Sequence, residues 1–228
     1  MIGFFDSGMG GLTILDAVKK RLPEIQTTYL ADTEHAPYGG RSQEEILELT
    51  WHGCEELFRR GCDLIILACN TASASALRTI QQERLGKYPG KRVLGIIRPT
   101  VEALAHRGYA RVIVLSTQAT KDSGAFVKEF AHLDPDVQVI SHACPTWVPL
   151  IEAGKTGTEE MRSEVEREVR SAEQEAGTFD AIILGCTHYP YVKKEIGQSL
   201  TRRVPIIDQA DIVAESLAAY LKRHPAFT

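Results

Sequence analysis

The stretch Leu64-Ile65-Ile66-Leu67-Ala68-Cys69-Asn70-Thr71-Ala72-Ser73 decides the fold. Four large apolar residues without a break read as a strand buried on both faces, as in a parallel sheet. The strand ends at Ala68-Cys69, and Asn70, Thr71 and Ser73 then supply side-chain donors and helix caps. A thiol thus stands at the carboxyl end of a parallel strand, where open α/β sheets place their ligand crevices. Alone, such a cysteine reads as a small buried hydrophobe. The stretch Ala181-Ile182-Ile183-Leu184-Gly185-Cys186-Thr187-His188 repeats the grammar: apolar run, small residue, Cys, then hydrogen-bonding side chains. Two structural cysteines would rarely share it.

The rest of the chain bounds the answer. A length of 228 residues allows one large domain or two small ones. With 43% hydrophobic and 25% charged residues the composition is that of a soluble globular protein. A net charge of −4 without a long basic run gives no support for a nucleic-acid surface. No apolar run approaches a membrane span, and the N-terminus enters a strand-like segment at once, so a mature cytoplasmic protein is expected. The five cysteines, Cys54, Cys62, Cys69, Cys144 and Cys186, are odd in number and form no CxxC, which points to a reducing compartment. The histidines near them lack zinc-site spacing, and no metal is expected. Cys54 and Cys62 fall in a helix and its exit and read as buried hydrophobes.

Taken in order, residues 1–5 form a buried strand running into Asp6-Ser7-Gly8-Met9-Gly10-Gly11 and an amphipathic helix over 12–22. The glycines read as a sharp strand-to-helix turn, and their spacing is neither a Rossmann fingerprint nor a P-loop. Asp6, an acid at a strand end, suits either helix capping or a hold on an amine or base. A strand at 27–31 leads to the loop Ala36-Pro37-Tyr38-Gly39-Gly40-Arg41-Ser42, whose free amides suit a carboxylate. Ser42 with Glu45 predicts a capping box opening a helix over 43–60. A helix over 72–85 follows the first Cys strand, then a strand over 93–97 ending at Pro99 and a helix over 100–107. A strand at 111–115 ends in Ser116-Thr117-Gln118-Ala119-Thr120. A strand over 137–141 and a helix over 148–153 containing Glu152 come next, then a charged amphipathic run over 159–176 that reads as a solvated helix. After the second Cys strand the pattern gives a helix to about 200, a strand over 204–207 and a last helix over 211–222.

This alternation predicts an α/β fold. The two Cys strand ends stand about half a chain apart, so the expectation is two pseudo-symmetric α/β domains with mainly parallel sheets and the site in the cleft between them. Residues 1–94 would form the first domain, completed by 208–228, and residues 95–207 the second. A substrate in that cleft meets one sulfur on each face. Few reactions need such symmetry; inverting a stereocentre is one, with a thiolate removing a proton and a thiol returning it from the other side. A free thiol has a pKa of about 8.5 and needs tuning by neighbours, for which His188 is placed two residues from Cys186. Asp6 and Glu152 could move a proton or orient an ammonium, and donors would have to stabilise the developing carbanion.

Together, Asp6-Ser7-Gly8-Met9-Gly10-Gly11, Pro37-Tyr38-Gly39, Ala68-Cys69-Asn70-Thr71-Ala72 and Gly185-Cys186-Thr187-His188-Tyr189-Pro190 resemble the glutamate racemases of the cofactor-independent aspartate/glutamate racemase family. The resemblance runs from residue 1 to about 210. It implies no pyridoxal phosphate and no metal, with Cys69 as the base for the D-enantiomer and Cys186 for the L-enantiomer. It makes Asp6, Glu152 and His188 the supporting catalytic residues. It gives Ser7, Pro37, Tyr38, Gly39, Asn70, Thr71 and Thr187, together with Asp6, His188 and the two cysteines, as substrate contacts, and adds Thr117 and Thr120 from the polar strand end. It further implies a homodimer and a supply of D-glutamate for peptidoglycan, hence a part in cell-wall biogenesis and cell shape. The chain departs from the family pattern at Ser116, at Trp147, at Asp208-Gln209-Ala210 and in a short C-terminus.

Three rival readings differ in class. A racemase for aspartate or a broader range of acidic amino acids would share the thiols, although the glycine-rich N-terminal motif looks like the glutamate enzymes. A regulatory binding protein on the same fold would not need both cysteines, and some glutamate racemases also inhibit DNA gyrase. A thiol hydrolase or transferase needs one nucleophile and a base, leaving the second Cys motif unexplained.

Overall fold

The computed structural model describes residues 1–227. Its frame is two four-stranded parallel sheets of the same topology. Strands β1 (Ile2–Asp6), β2 (Thr27–Ala31), β3 (Leu64–Leu67) and β4 (Arg92–Gly95) lie in the order β2-β1-β3-β4. Strands β5 (Arg111–Ser116), β6 (Gln138–Ala143), β7 (Ala181–Gly185) and β8 (Ile206–Ile207) lie in the order β6-β5-β7-β8. Every residue of β1, β3 and β7 is buried, as strands covered on both faces require. In the first sheet Phe5 pairs with Leu67, and in the second Ser116 pairs with Gly185. Carried past the strand ends, those registers set Ser7 beside Cys69 and Thr117 beside Cys186.

The helices in chain order are α1 (Leu12–Arg21), α2 (Gln43–Arg59), α3 (Asn70–Ser75), α4 (Leu77–Thr79), α5 (Ile97–Leu104), α6 (Gln118–Ser123), α7 (Ala125–Leu133), α8 (Trp147–Glu152), α9 (Glu159–Ala176), α10 (Lys193–Ser199) and α11 (Ala210–Arg223). On one face of the first sheet, Ile46, Cys54 and Leu57 of α2 pack with Phe5 and Leu67, and Cys62 is buried there too. On the other, α1 and α11 bring Ile14, Leu15, Val18, Val213, Leu217 and Leu221 onto Ile2, Phe4 and Ile66. The second sheet is covered by α8, α9 and α10 on one side and by α5 and α7 on the other.

Four elements differ from the sequence expectation. The strand expected over 93–97 stops at Gly95, and α5 begins at Ile97 with Pro99 in its first turn. Proline is at home there because the N–H it lacks would have no helical partner. The helix expected over 72–85 breaks into α3, α4, a π turn at Ile80–Arg84 and a 3-10 turn at Leu85–Lys87. Inside it, the Ser73 hydroxyl donates to the Leu67 carbonyl at 2.8 Å, tying the helix start to the strand. The charged amphipathic run over 159–176 is the expected helix, but it is a core element and not merely solvated, one face burying Met161, Val165, Glu168, Val169, Ala172, Glu173 and Ala176. Its buried acids have partners: Glu168 pairs with His142 at 2.9 Å, and Glu173 Oε1 accepts from the Thr201 amide and hydroxyl, while among the described residues its Oε2 makes no hydrogen bond and has only Arg170 at 3.9 Å. The final strand, expected over 204–207, is reduced to Ile206–Ile207, since Pro205 has no N–H to give to a ladder.

Candidate active site

Each sheet delivers its third strand to the same point. Cys69 follows β3 in extended conformation and caps α3 itself, its Sγ accepting from the Ala72 amide at 3.4 Å. The Ser7 hydroxyl lies 3.5 Å from that sulfur. Cys186 follows β7, with its Sγ 3.9 Å from His188 Nδ1. His188 Nε2 meets Glu152 Oε1 at 2.9 Å, so a carboxylate on α8 orients the ring.

The thiols face one cavity of about 20 Å³. From the first sheet it is lined by Ser7, Pro37, Tyr38, Gly39, Cys69, Asn70 and Thr71. From the second come Thr117, Val148, Glu152, Cys186, Thr187 and His188. Asp6 and Thr120 stand just behind this lining. Asp6 is fully buried, its Oδ1 accepting from the Gly8 amide at 2.7 Å and its Oδ2 from the Thr187 hydroxyl at 3.3 Å. It therefore caps no helix. Thr120 accepts at 3.0 Å from the Thr117 hydroxyl, which itself lies 2.9 Å from Thr71 Oγ1. Val148 is the lining residue that the sequence reading missed. It stands one helical turn before Glu152, so placing Glu152 in the site carried Val148 to the same face of α8.

The glycine-rich loop after β1 is the expected turn into α1, and its glycines also allow close approach. None of Gly8, Gly10 and Gly11 has a positive φ. A Cβ on Gly10 would stand 2.5 Å from Thr187 Oγ1 and 2.6 Å from His188 Nδ1. One on Gly8 would stand 2.7 Å from Glu152 Oε1, and one on Gly39 2.9 Å from Thr117 Cβ. These glycines let the two halves meet. Tyr38 is held from behind, its hydroxyl donating to Asp32 Oδ2 at 2.6 Å.

Burial dominates the electrostatics. It pushes the Cys69 thiol up to about 11, and the Asp6 charge adds to this; the Ser7 hydroxyl and the Ala72 amide pull the other way. Burial likewise raises Cys186, opposed by a hydrogen bond from the His188 backbone. Asp6 is raised too, by burial first, against the pull of His188. A buried thiol stays protonated, with little thiolate to act as a base, until a positive charge arrives beside it and lowers its pKa. Among the described residues no three His, Cys, Asp or Glu side chains form a group that could hold a metal ion.

The family model described as Asp/Glu/Hydantoin racemase matches residues 13–217. A protein of Ruegeria pomeroyi named glutamate racemase is 44% identical over 235 residues, which span 98% of this chain and 86% of that one. Among solved structures, a glutamate racemase isoform of Bacillus anthracis superposes with a TM-score of 0.89 at 32% identity, covering 98% of this chain and 82% of the other. A glutamate racemase of Francisella tularensis, solved in complex with D-glutamate, gives 0.89 at 29% identity over 100% of this chain and 82% of that one.

Proposed function

The chain belongs to the Asp/Glu/hydantoin racemase family, and we propose that it interconverts L- and D-glutamate without a cofactor, by proton transfer between Cys69, Cys186 and the α-carbon. The observation that carries this is the pair of thiols at matching ends of β3 and β7, facing one cavity from two sheets. A substrate held there offers one face of its α-carbon to each sulfur. The thiolate on one side takes the α-proton as the thiol on the other gives its own to the opposite face. Charge is conserved, and the two sulfurs exchange protonation states each turnover. Cys69 serves the D-enantiomer and Cys186 the L-enantiomer.

The surrounding groups make this feasible. The α-ammonium of the substrate brings positive charge into a buried site and lowers both thiols toward the working range. His188, oriented by Glu152, assists Cys186, while Asp6 and Ser7 flank Cys69. The backbone amides of Tyr38 and Gly39, and the hydroxyls of Thr71, Thr117 and Thr187 once turned from their present partners to the substrate, supply donors for the carboxylates and for the charge that develops on deprotonation. The same reading includes a supply of D-glutamate for peptidoglycan, and with it cell shape, a cytoplasmic site of action and a homodimer. All five cysteines are free, which supports a reducing compartment.

Circular dichroism of L- and D-glutamate and of aspartate, incubated with the protein under reducing conditions, tests the proposal. Glutamate should racemise from either side at a rate that dialysis against chelator leaves unchanged. Equal kcat/KM for aspartate would refute the specificity, and a metal-dependent rate would refute the two-thiol chemistry.

A further inference from the structure

The chain crosses between the sheets twice, at Ile96 after β4 and at 208–209 after β8, and one buried side chain bridges the crossings. Gln209, 3% exposed, donates from Nε2 to Thr100 Oγ1 at 2.9 Å and lies 3.4 Å from the Ile96 carbonyl. Its Oε1 accepts from Asn70 Nδ2 at 2.6 Å. The direction of these bonds follows from chemistry. The Ile96 carbonyl can only accept, and the Thr100 hydroxyl gives it its one proton at 2.7 Å. Thr100 must then accept from Gln209, so the nitrogen of Gln209 faces Thr100 and its oxygen faces Asn70. Asn70 must in turn present its nitrogen, because a flipped amide would set two acceptors against each other at that spacing.

Asn70 is 2% exposed and lines the cavity, and its Oδ1 has no hydrogen-bond partner among the described residues. We infer that Gln209 is a positioning residue, turning the Asn70 amide so that its oxygen is kept as an acceptor for the α-ammonium of the substrate. This rests on the racemase reading of the same cavity. An acceptor cannot bind a carboxylate, whereas an ammonium fits it.

The test compares wild type, Gln209→Leu and Gln209→Met, titrated calorimetrically with D-glutamate and with glutarate, which has the same two carboxylates and no ammonium. Both apolar side chains remove the acceptor that holds Asn70, and methionine keeps the length of the glutamine. Each variant should weaken D-glutamate about tenfold, the scale of one hydrogen bond to a charged group, and leave glutarate unchanged. Its KM should rise by a similar factor for both enantiomers while kcat stays within about twofold. Equal weakening of both ligands, or no weakening of D-glutamate in either variant, would overturn the inference. Binding is read apart from turnover, so a wild type that binds D-glutamate without racemising it would overturn the racemase reading alone.

Discussion

Cys69 and Cys186 sit at matched strand ends in unlike company. Cys69 has the Ser7 hydroxyl and the Asp6 charge near it, whereas Cys186 has the His188 ring backed by Glu152. If each thiol serves one face, every racemisation needs both, and Cys69→Ala or Cys186→Ala should lower racemisation by about a thousandfold or more. Elimination from a substrate with a β-leaving group needs only one base. Cys69→Ala should keep it for the L-enantiomer and Cys186→Ala for the D-enantiomer, as chiral chromatography of the remaining substrate would read. The same surviving enantiomer in both variants would sink the two-base reading. Residues of this kind are legible because their neighbours in sequence announce them: a thiol after an apolar run, then hydroxyls, in two copies. Gln209 and Val148 are not. Gln209 reaches Asn70 from far along the chain, and Val148 reads as one more apolar residue of a helix until Glu152 is known to face inward.

At the scale of elements, the loop after β1 is the sharp turn its glycines predict and also serves a purpose the motif does not announce. Beyond the turn, these glycines provide room for Thr187, His188 and Glu152 from the opposite sheet. No local pattern reports a neighbour that arrives from elsewhere in the fold. Gly10→Ala should accordingly force the Thr187–His188 turn away, cost about 1–3 kcal/mol in urea denaturation and cut kcat/KM at least about tenfold. Gly40→Ala, with nothing within 4 Å of the added carbon, should leave both unchanged. A Gly10 variant of full activity would show that the two halves need not meet so closely. The capping box of Ser42 and Glu45 was readable because it is wholly local, and it is present at the start of α2. The break in the helix after Cys69 falls at Ala76, between α3 and α4, where the sequence carries no glycine or proline to announce it.

For the whole molecule, each half reaches across the cleft to the first strand of the other: Thr71 meets Thr117 after β5, and Thr187 donates to Asp6 at the end of β1. The alternating apolar runs made the pair of parallel sheets legible, but not how closely they shut. A cavity of about 20 Å³ has room for little more than a water molecule, so substrate entry requires the halves to part. Burial raises all five thiols in the folded chain. The fold thus favours their protonated form, and this stabilisation is complete below about pH 8.5, where thiols of the unfolded chain begin to ionise. It is lost as pH climbs toward the folded values, about 11 for Cys69. Urea midpoints should therefore fall between pH 8 and pH 11 and be less steeply affected in Cys54→Ala; a flat profile would contradict it. The helix α11 has a consequence of another kind. Val213, Leu217 and Leu221 cover Ile14, Leu15 and Val18, which leave the ribosome long before them. The whole second sheet is synthesised while that greasy strip on α1 still waits for its lid. The nascent chain therefore carries an exposed sticky surface through most of its synthesis, a stretch of time in which a chaperone has something to hold.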